Sequence, residues 1–141
     1  MTTASPQLLR VLLIDDNPAD RLLAEEAFAE HAGVVTVSTC EDGPEALQRL
    51  QDDRLPLPDV VILDLNMPQM SGFDVIQAIR SVPRIRHLPV VILSTSDRPQ
   101  DVARAYDLLA SSYMVKSRDF PGFVQQIEHF VNFWYDCRFP R

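Results

Sequence analysis

The sequence predicts an α/β fold built on a doubly wound parallel sheet, and three observations carry that reading. Val11–Ile14, Val60–Leu63 and Val90–Leu93 are continuous apolar runs rich in Val and Ile, the pattern of strands buried on both faces. Strand-like and helix-like stretches alternate five times with no repeat and no break in composition, so the strands are joined by helical crossovers and lie parallel, with helices on both faces. Polar residues stand just past these runs, where ligands collect in such sheets, and a strand order of 2-1-3-4-5 would gather them on one rim. With 141 residues, 46% of them apolar, the chain is long enough for one compact domain with a full core.

The first run ends in the acid pair Asp15-Asp16. Asn17 and Pro18 then open a helix in which Leu22, Leu23, Ala27 and Phe28 recur at helical spacing, and His31, Ala32 and Gly33 end it. Val34–Thr39 reads as a short second strand, and Asp42-Gly43-Pro44-Glu45 starts a helix through Ala46, Leu47 and Leu50. Pro56 and Pro58 fall in the return to the sheet. The third strand, VVIL, ends abruptly on Asp64; the loop after it runs to Gly72, and Phe73, Ile76 and Ile79 lie one turn apart on the next helix. Pro83 and Pro89 bracket the following return loop. The fourth strand ends in Ser94-Thr95-Ser96, with Asp97 placed to cap a helix carrying Val102, Ala105, Tyr106 and Leu109. Ser112–Val115 is the fifth strand and precedes Lys116. Phe120 to about Phe133 forms the last amphipathic helix, with Phe123, Ile127 and Phe130 or Val131 on one face, and residues 134–141 remain as an aromatic tail.

The totals exclude several function classes. Twenty acidic residues against thirteen basic ones give a net charge of -7, which argues against a nucleic-acid or anionic-membrane surface and for an acidic cluster that holds a cation. Cys40 and Cys137 form neither a disulfide framework nor a CxxC signature, and a reducing, cytoplasmic setting fits them. The opening MTTASPQ has no charged stretch before an apolar core, and no apolar run approaches a bilayer span, so a soluble, unprocessed protein is expected.

Asp15, Asp16, Asp64, Ser94 and Lys116 would meet on one rim. Three carboxylates brought together repel one another and are driven towards their protonated forms unless a cation neutralises them. A hard divalent ion such as Mg²⁺, with oxygen ligands and several retained waters, resolves the conflict. Lys116 offers a fixed charge, and Ser94 a hydrogen bond, to phosphate oxygens. Asp64 is then available as an oxygen nucleophile for in-line phosphoryl transfer. His31, His87 and His129 are scattered and read as solvated or packing residues, Met67 and Met70 as gap fillers, and Gly72 as a turn.

Over nearly its whole length the chain resembles the receiver domains of two-component response regulators. The resemblance rests on LLIDDNPAD, VVILDLNMPQMSG, VVILSTSD and SSYMVK, which fall in that order. It implies a flavodoxin-like (βα)5 fold, a receiver spanning residues 8–133, and Asp64 as phosphoacceptor for a histidine kinase. It also implies that Asp16, Asp64 and the Asn66 carbonyl bind Mg²⁺, that Asp15 supports the ion through water, that Lys116 contacts the phosphoryl group, and that Ser94 and Tyr113 form the switch pair. With no output domain after the last helix, it implies a stand-alone receiver. The NPAD, STSD, ARAYDLLASSY and EHFVNFW segments are similar to single-domain regulators associated with phytochrome kinases. That likeness implies a phosphorelay, in which a downstream phosphotransfer protein is a further partner, and a homodimer formed by the last helix and the 134–141 tail, whose aromatic residues must either fold back on their own domain or meet a partner.

Two departures stand out. Receivers usually carry proline after the lysine, in a cis peptide, but Ser117 stands here, and a cis bond before serine costs about 2.5–4 kcal/mol, so a trans peptide is expected. Thr95, bulkier than the alanine or glycine of many receivers, is expected to narrow access to the site. Two rival readings fit less well. A haloacid-dehalogenase-like phosphatase would want an acid two residues after its nucleophile, where Asn66 stands; a pseudo-receiver working without phosphorylation would not require the intact set of acids, hydroxyl and lysine.

Overall fold

The central strands are apolar along their whole length because both of their faces are covered. In the computed structural model, which describes residues 7–140, five parallel strands form one sheet in the order β2-β1-β3-β4-β5, as the sequence predicts. The elements are β1 (Leu9–Ile14), α1 (Pro18–Ala29), β2 (Val35–Cys40), α2 (Gly43–Leu50), β3 (Val60–Leu63), α3 (Gly72–Ser81), β4 (Val90–Ser94), α4 (Pro99–Asp107), β5 (Ser112–Val115) and α5 (Phe120–Tyr135). The architecture is the flavodoxin-like doubly wound fold.

Alternate strand residues divide the core into two layers. Ile14, Val61, Leu63 and Ile92 pack with residues of α2, α3 and α4, including Ala46, Phe73, Ile76 and Ala105. Val11, Leu13, Ile62 and Val91 pack on the other face with Ala24 and Phe28 of α1 and Phe123, Ile127 and Phe130 of α5. The strand register aligns the polar rim. Ile14 pairs with Leu63, Leu63 with Ile92, and Ser94 with Val115, so Asp15, Asp64 and Lys116 emerge side by side past the strand ends.

Four local expectations are corrected. On α1 the buried face is Ala24, Ala27 and Phe28, whereas Leu22 and Leu23 are 56% and 37% exposed. The short alanines let α1 lie close to the sheet, and the two leucines fall on its outer side. Asp97 does not cap α4: the capping position is Arg98, with no side-chain bond, and the Ser96 hydroxyl instead accepts the Arg98 N–H. Leu109 is not on the α4 face. The helix stops at Asp107, Ala110 N–H donates to the Ala105 carbonyl and Leu109 N–H to that of Tyr106, and Leu109 takes a left-handed φ of 65°. These paired bonds are a Schellman stop with leucine at the position glycine usually holds. Finally, α5 continues past Phe133 to Tyr135. The tail after it takes one of the two courses open to it and folds back: the Phe139 ring stacks at 24° on Trp134 with centroids 6.1 Å apart, and Trp134 lies 6.2 Å from Phe130. Arg141, the last residue of the expected tail segment, lies outside the described residues. Among the described residues no helix is long and apolar enough to cross a membrane.

Candidate functional site

Each side chain of the site is delivered by a strand end and fixed by the loop beyond it. Asp15 leaves β1 almost fully buried; its Oδ1 accepts the Asn17 N–H at 2.9 Å, while the Asn17 side chain turns back to accept the N–H groups of Ala19 and Asp20 at the start of α1. Arg21, one residue on, donates to the Asp15 carbonyl at 2.7 Å and faces Glu41 at 3.8 Å. Asp64, 9% exposed, ends β3, and its main-chain N–H donates to the Ile14 carbonyl at 3.0 Å. The Asn66 N–H lies 3.4 Å from the Asp64 carboxylate, and the Asn66 side chain is exposed.

Gly72 does more than turn the chain. It donates to the Leu65 carbonyl at 3.0 Å, and a Cβ there would run into the Asp64 carbonyl oxygen and come within 2.8 Å of the Leu65 Cα. The start of α3, held by reciprocal bonds between Ser71 and Asp74, is thus pressed against the backbone of the central carboxylate. Met67 and Met70 fill space in the same layer.

Carboxylate oxygens of Asp15, Asp16 and Asp64 all lie within 4.8 Å of one another. Burial and, next, the neighbouring Asp15 charge push the Asp64 carboxyl up to about 6. Burial likewise raises Asp15, against the pull of the Asn17 N–H and of Lys116. A cluster in which Asp15 and Asp64 resist ionisation, built wholly of hard oxygen donors, suits a small divalent cation and offers nothing to a soft one.

Lys116 lies across this cluster from the side. Burial by itself would lower its ammonium, but Asp15 and Asp20 outweigh that and hold it above the ordinary lysine value. Its Nζ is 3.0 Å from Asp20 Oδ2 and 3.3 Å from Asp15 Oδ2; among the described residues these are its ion pairs, and Asp64 acts on it from farther away. The Lys116–Ser117 peptide is trans, as expected from the serine. The Gln126 amide brackets the lysine, accepting the Ser117 N–H at 2.9 Å and donating to the Val115 carbonyl at 2.6 Å. A cavity of about 150 Å³ adjoins the ammonium, lined in part by Asp20, Leu23, Phe120 and Phe123. A larger cleft of about 810 Å³, with Arg10, Asp59, Pro89 and Trp134 in its walls, lies at the opposite rim, away from these acids.

Ser94 is fully buried, and its hydroxyl accepts the Ser96 N–H at 3.2 Å. Its carbonyl accepts the Lys116 N–H at 2.7 Å. Half-buried Tyr113 donates from its hydroxyl to the Ser96 carbonyl at 2.8 Å, and Ser96 in turn donates to Asp101 of α4 at 2.6 Å. Thr95 is exposed beside this loop. The acids, Ser94 and Lys116 therefore lie along one rim, and Tyr113 is tied to the loop that leaves Ser94. Asp20 and Gln126 were not foreseen from the sequence. The signal for Asp20 was its place one helical turn after Asp16; for Gln126 there was none, because an amide that clasps another element leaves no local pattern.

Residues 11–128 match the family described as the response regulator receiver domain. The response regulator Rcp1 of Synechocystis sp. is 30% identical over 130 residues, spanning 89% of this chain and 88% of that protein. Among solved structures, the phosphorylated cyanobacterial phytochrome response regulator RcpA matches with a TM-score of 0.88 at 33% identity, covering 96% of this chain and 100% of that one. The Mn²⁺-bound form of Rcp1 matches with a TM-score of 0.85 at 29% identity, over 94% and 99% of the two chains.

Proposed function

This chain belongs to the response-regulator receiver family, and from that membership we propose that it is a single-domain response regulator that accepts a phosphoryl group from a histidine kinase on Asp64. One observation carries the reading: the acid pair after β1 and the acid after β3 converge within 4.8 Å on a rim that also holds the Lys116 ammonium. Asp16, Asp64 and the Asn66 carbonyl would hold Mg²⁺, with Asp15 acting through water. Bound there, the ion would neutralise the acids and the oxygens of an incoming phosphoryl group. A carboxyl with a pKa of about 6 is mostly ionised at neutral pH, so an Asp64 oxygen can attack phosphorus while the donor's bond to the phosphoryl group breaks.

The aspartyl phosphate would draw Lys116 to a phosphoryl oxygen and would compete for the Ser94 hydroxyl. Moving Ser94 disturbs the Ser96 loop, to which Tyr113 and Asp101 are tied, and so changes the face of α4 and β5. Asn66 supports a signalling role over turnover, since no acid stands where a phosphatase of the haloacid-dehalogenase type would carry its proton donor. The likeness to a phytochrome response regulator supports a phytochrome-type kinase as donor, with a phosphotransfer protein as a downstream partner. We assign the protein to the cytoplasm, and α5, with the 134–141 tail folded beside it, to a homodimer contact, on the strength of Phe133 of that helix, which is 62% exposed.

Incubation with Mg²⁺ and acetyl phosphate, followed by intact mass, tests the central claim. One phosphoryl adduct is expected on the native chain and none on Asp64→Asn. No adduct on the native chain, or an unchanged adduct on Asp64→Asn, overturns it, and steady phosphate release from a small phosphomonoester would favour a hydrolase.

A further inference from the structure

We infer that Asp20 is the resting counter-ion of Lys116 and restrains it in competition with the phosphoryl group: on phosphotransfer Lys116 exchanges Asp20 for a phosphoryl oxygen on Asp64. The inference rests on the reading of Asp64 as phosphoacceptor. Both ends of the resting pair are fixed. Asp20 sits on the first turn of α1, where the Asn17 side chain accepts its main-chain N–H at 3.2 Å and the adjoining Arg21 is anchored on the Asp15 carbonyl at 2.7 Å. On the other side, the Lys116 N–H is held by the Ser94 carbonyl, and Gln126 clasps Val115 and Ser117 on either flank. The backbone of the lysine is therefore set, and only its side chain is free to swing, with a cavity of about 150 Å³ beside it.

Burial decides which partner is surrendered. The Asp15 side chain is 5% exposed, so water cannot take the place of the ammonium there, whereas the Asp20 side chain is 34% exposed and water can replace the lysine. The exchange thus costs least at Asp20. A carboxylate in that position competes with the phosphoryl anion for the same ammonium, and removing it favours the anion-bound state.

The test is beryllofluoride binding at fixed Mg²⁺, measured on the full chain by NMR. Asp20→Asn should bind beryllofluoride about 2- to 5-fold more tightly than the native chain, the upper range of one partly exposed ion pair. Asp20→Glu, which keeps a carboxylate near the ammonium, should stay within about 2-fold of the native value. Asp20→Ser provides a second neutral variant should the amide disturb the helix start. In a Lys116→Met background the gain from Asp20→Asn should disappear. Equal or weaker binding by both neutral variants overturns the inference. So does an undiminished gain in the Lys116→Met background, which would make Asp20 only a nearby negative charge. If the native chain itself fails to bind beryllofluoride, the phosphoacceptor reading falls first and takes this one with it.

Discussion

At the scale of single residues, Asp64 costs the fold something in order to be reactive. Its carboxyl lies near 6 in the folded chain against 3.8 for the free side chain, so the native state binds the proton more tightly than the unfolded state does. Below about pH 4 both states are protonated and there is no penalty, and as pH rises through 6 the ionised group destabilises the fold. One pKa unit corresponds to about 1.4 kcal/mol, so Asp64→Asn without Mg²⁺ should be about 3 kcal/mol more stable than the native chain at pH 7. The gain should vanish near pH 4; urea titrations at the two pH values would check this, and equal stabilities at pH 7 would contradict it. The acids and Lys116 were legible in the sequence because they stand at matching strand ends and are read as one set; Lys116 taken alone would pass for an ordinary surface charge. Asp20 was not legible. Its importance depends on a lysine 96 residues away, and no pattern along the chain records that distance.

At the scale of elements, the strands were read almost to the residue and the helix ends were not. A buried strand is announced by its own composition, whereas a helix end is decided by which carbonyls find donors. Leu109 illustrates this: it continues the apolar spacing of α4, yet the Schellman bonds at Ala105 and Tyr106 force it to φ 65°, where a side chain is strained. Because Leu109 is 69% exposed, little packing is lost on removing it. Leu109→Gly should therefore stabilise the protein by about 0.5–1 kcal/mol despite glycine's greater unfolded entropy. A thermal melt that moves downward instead would mean the leucine packs usefully in solution. The same stop brings the Leu108 and Leu109 carbonyls to the Arg80 guanidinium, at 3.2 and 2.9 Å, while that guanidinium also holds the Arg86 and Leu88 carbonyls. One side chain thus joins the α3–β4 and α4–β5 connections.

At the scale of the whole molecule, sheet order was legible because parallel crossovers leave few topologies open. The fate of the aromatic tail was not, since the same residues can cover their own domain or a neighbour's. The structure gives Trp134 and Phe139 to the parent domain and leaves Phe133 outward. If α5 forms the proposed homodimer contact, Phe133→Glu should convert a dimer to a monomer on a sizing column with little change in melting temperature. A native chain that already elutes as a monomer would remove the dimer from the proposal.

The folded-back tail also has an optical consequence. Trp134 is the single tryptophan of the chain. It lies between Phe130 and Phe139, in the wall of the cleft that Arg10, Asp59 and Pro89 line at the amino-terminal ends of the central strands. Its emission therefore reports the docking of the tail and is blind to local quenching at the acid cluster on the far rim. Any change in that emission when Mg²⁺ or a phosphoryl group arrives has crossed the full height of the sheet to reach the indole.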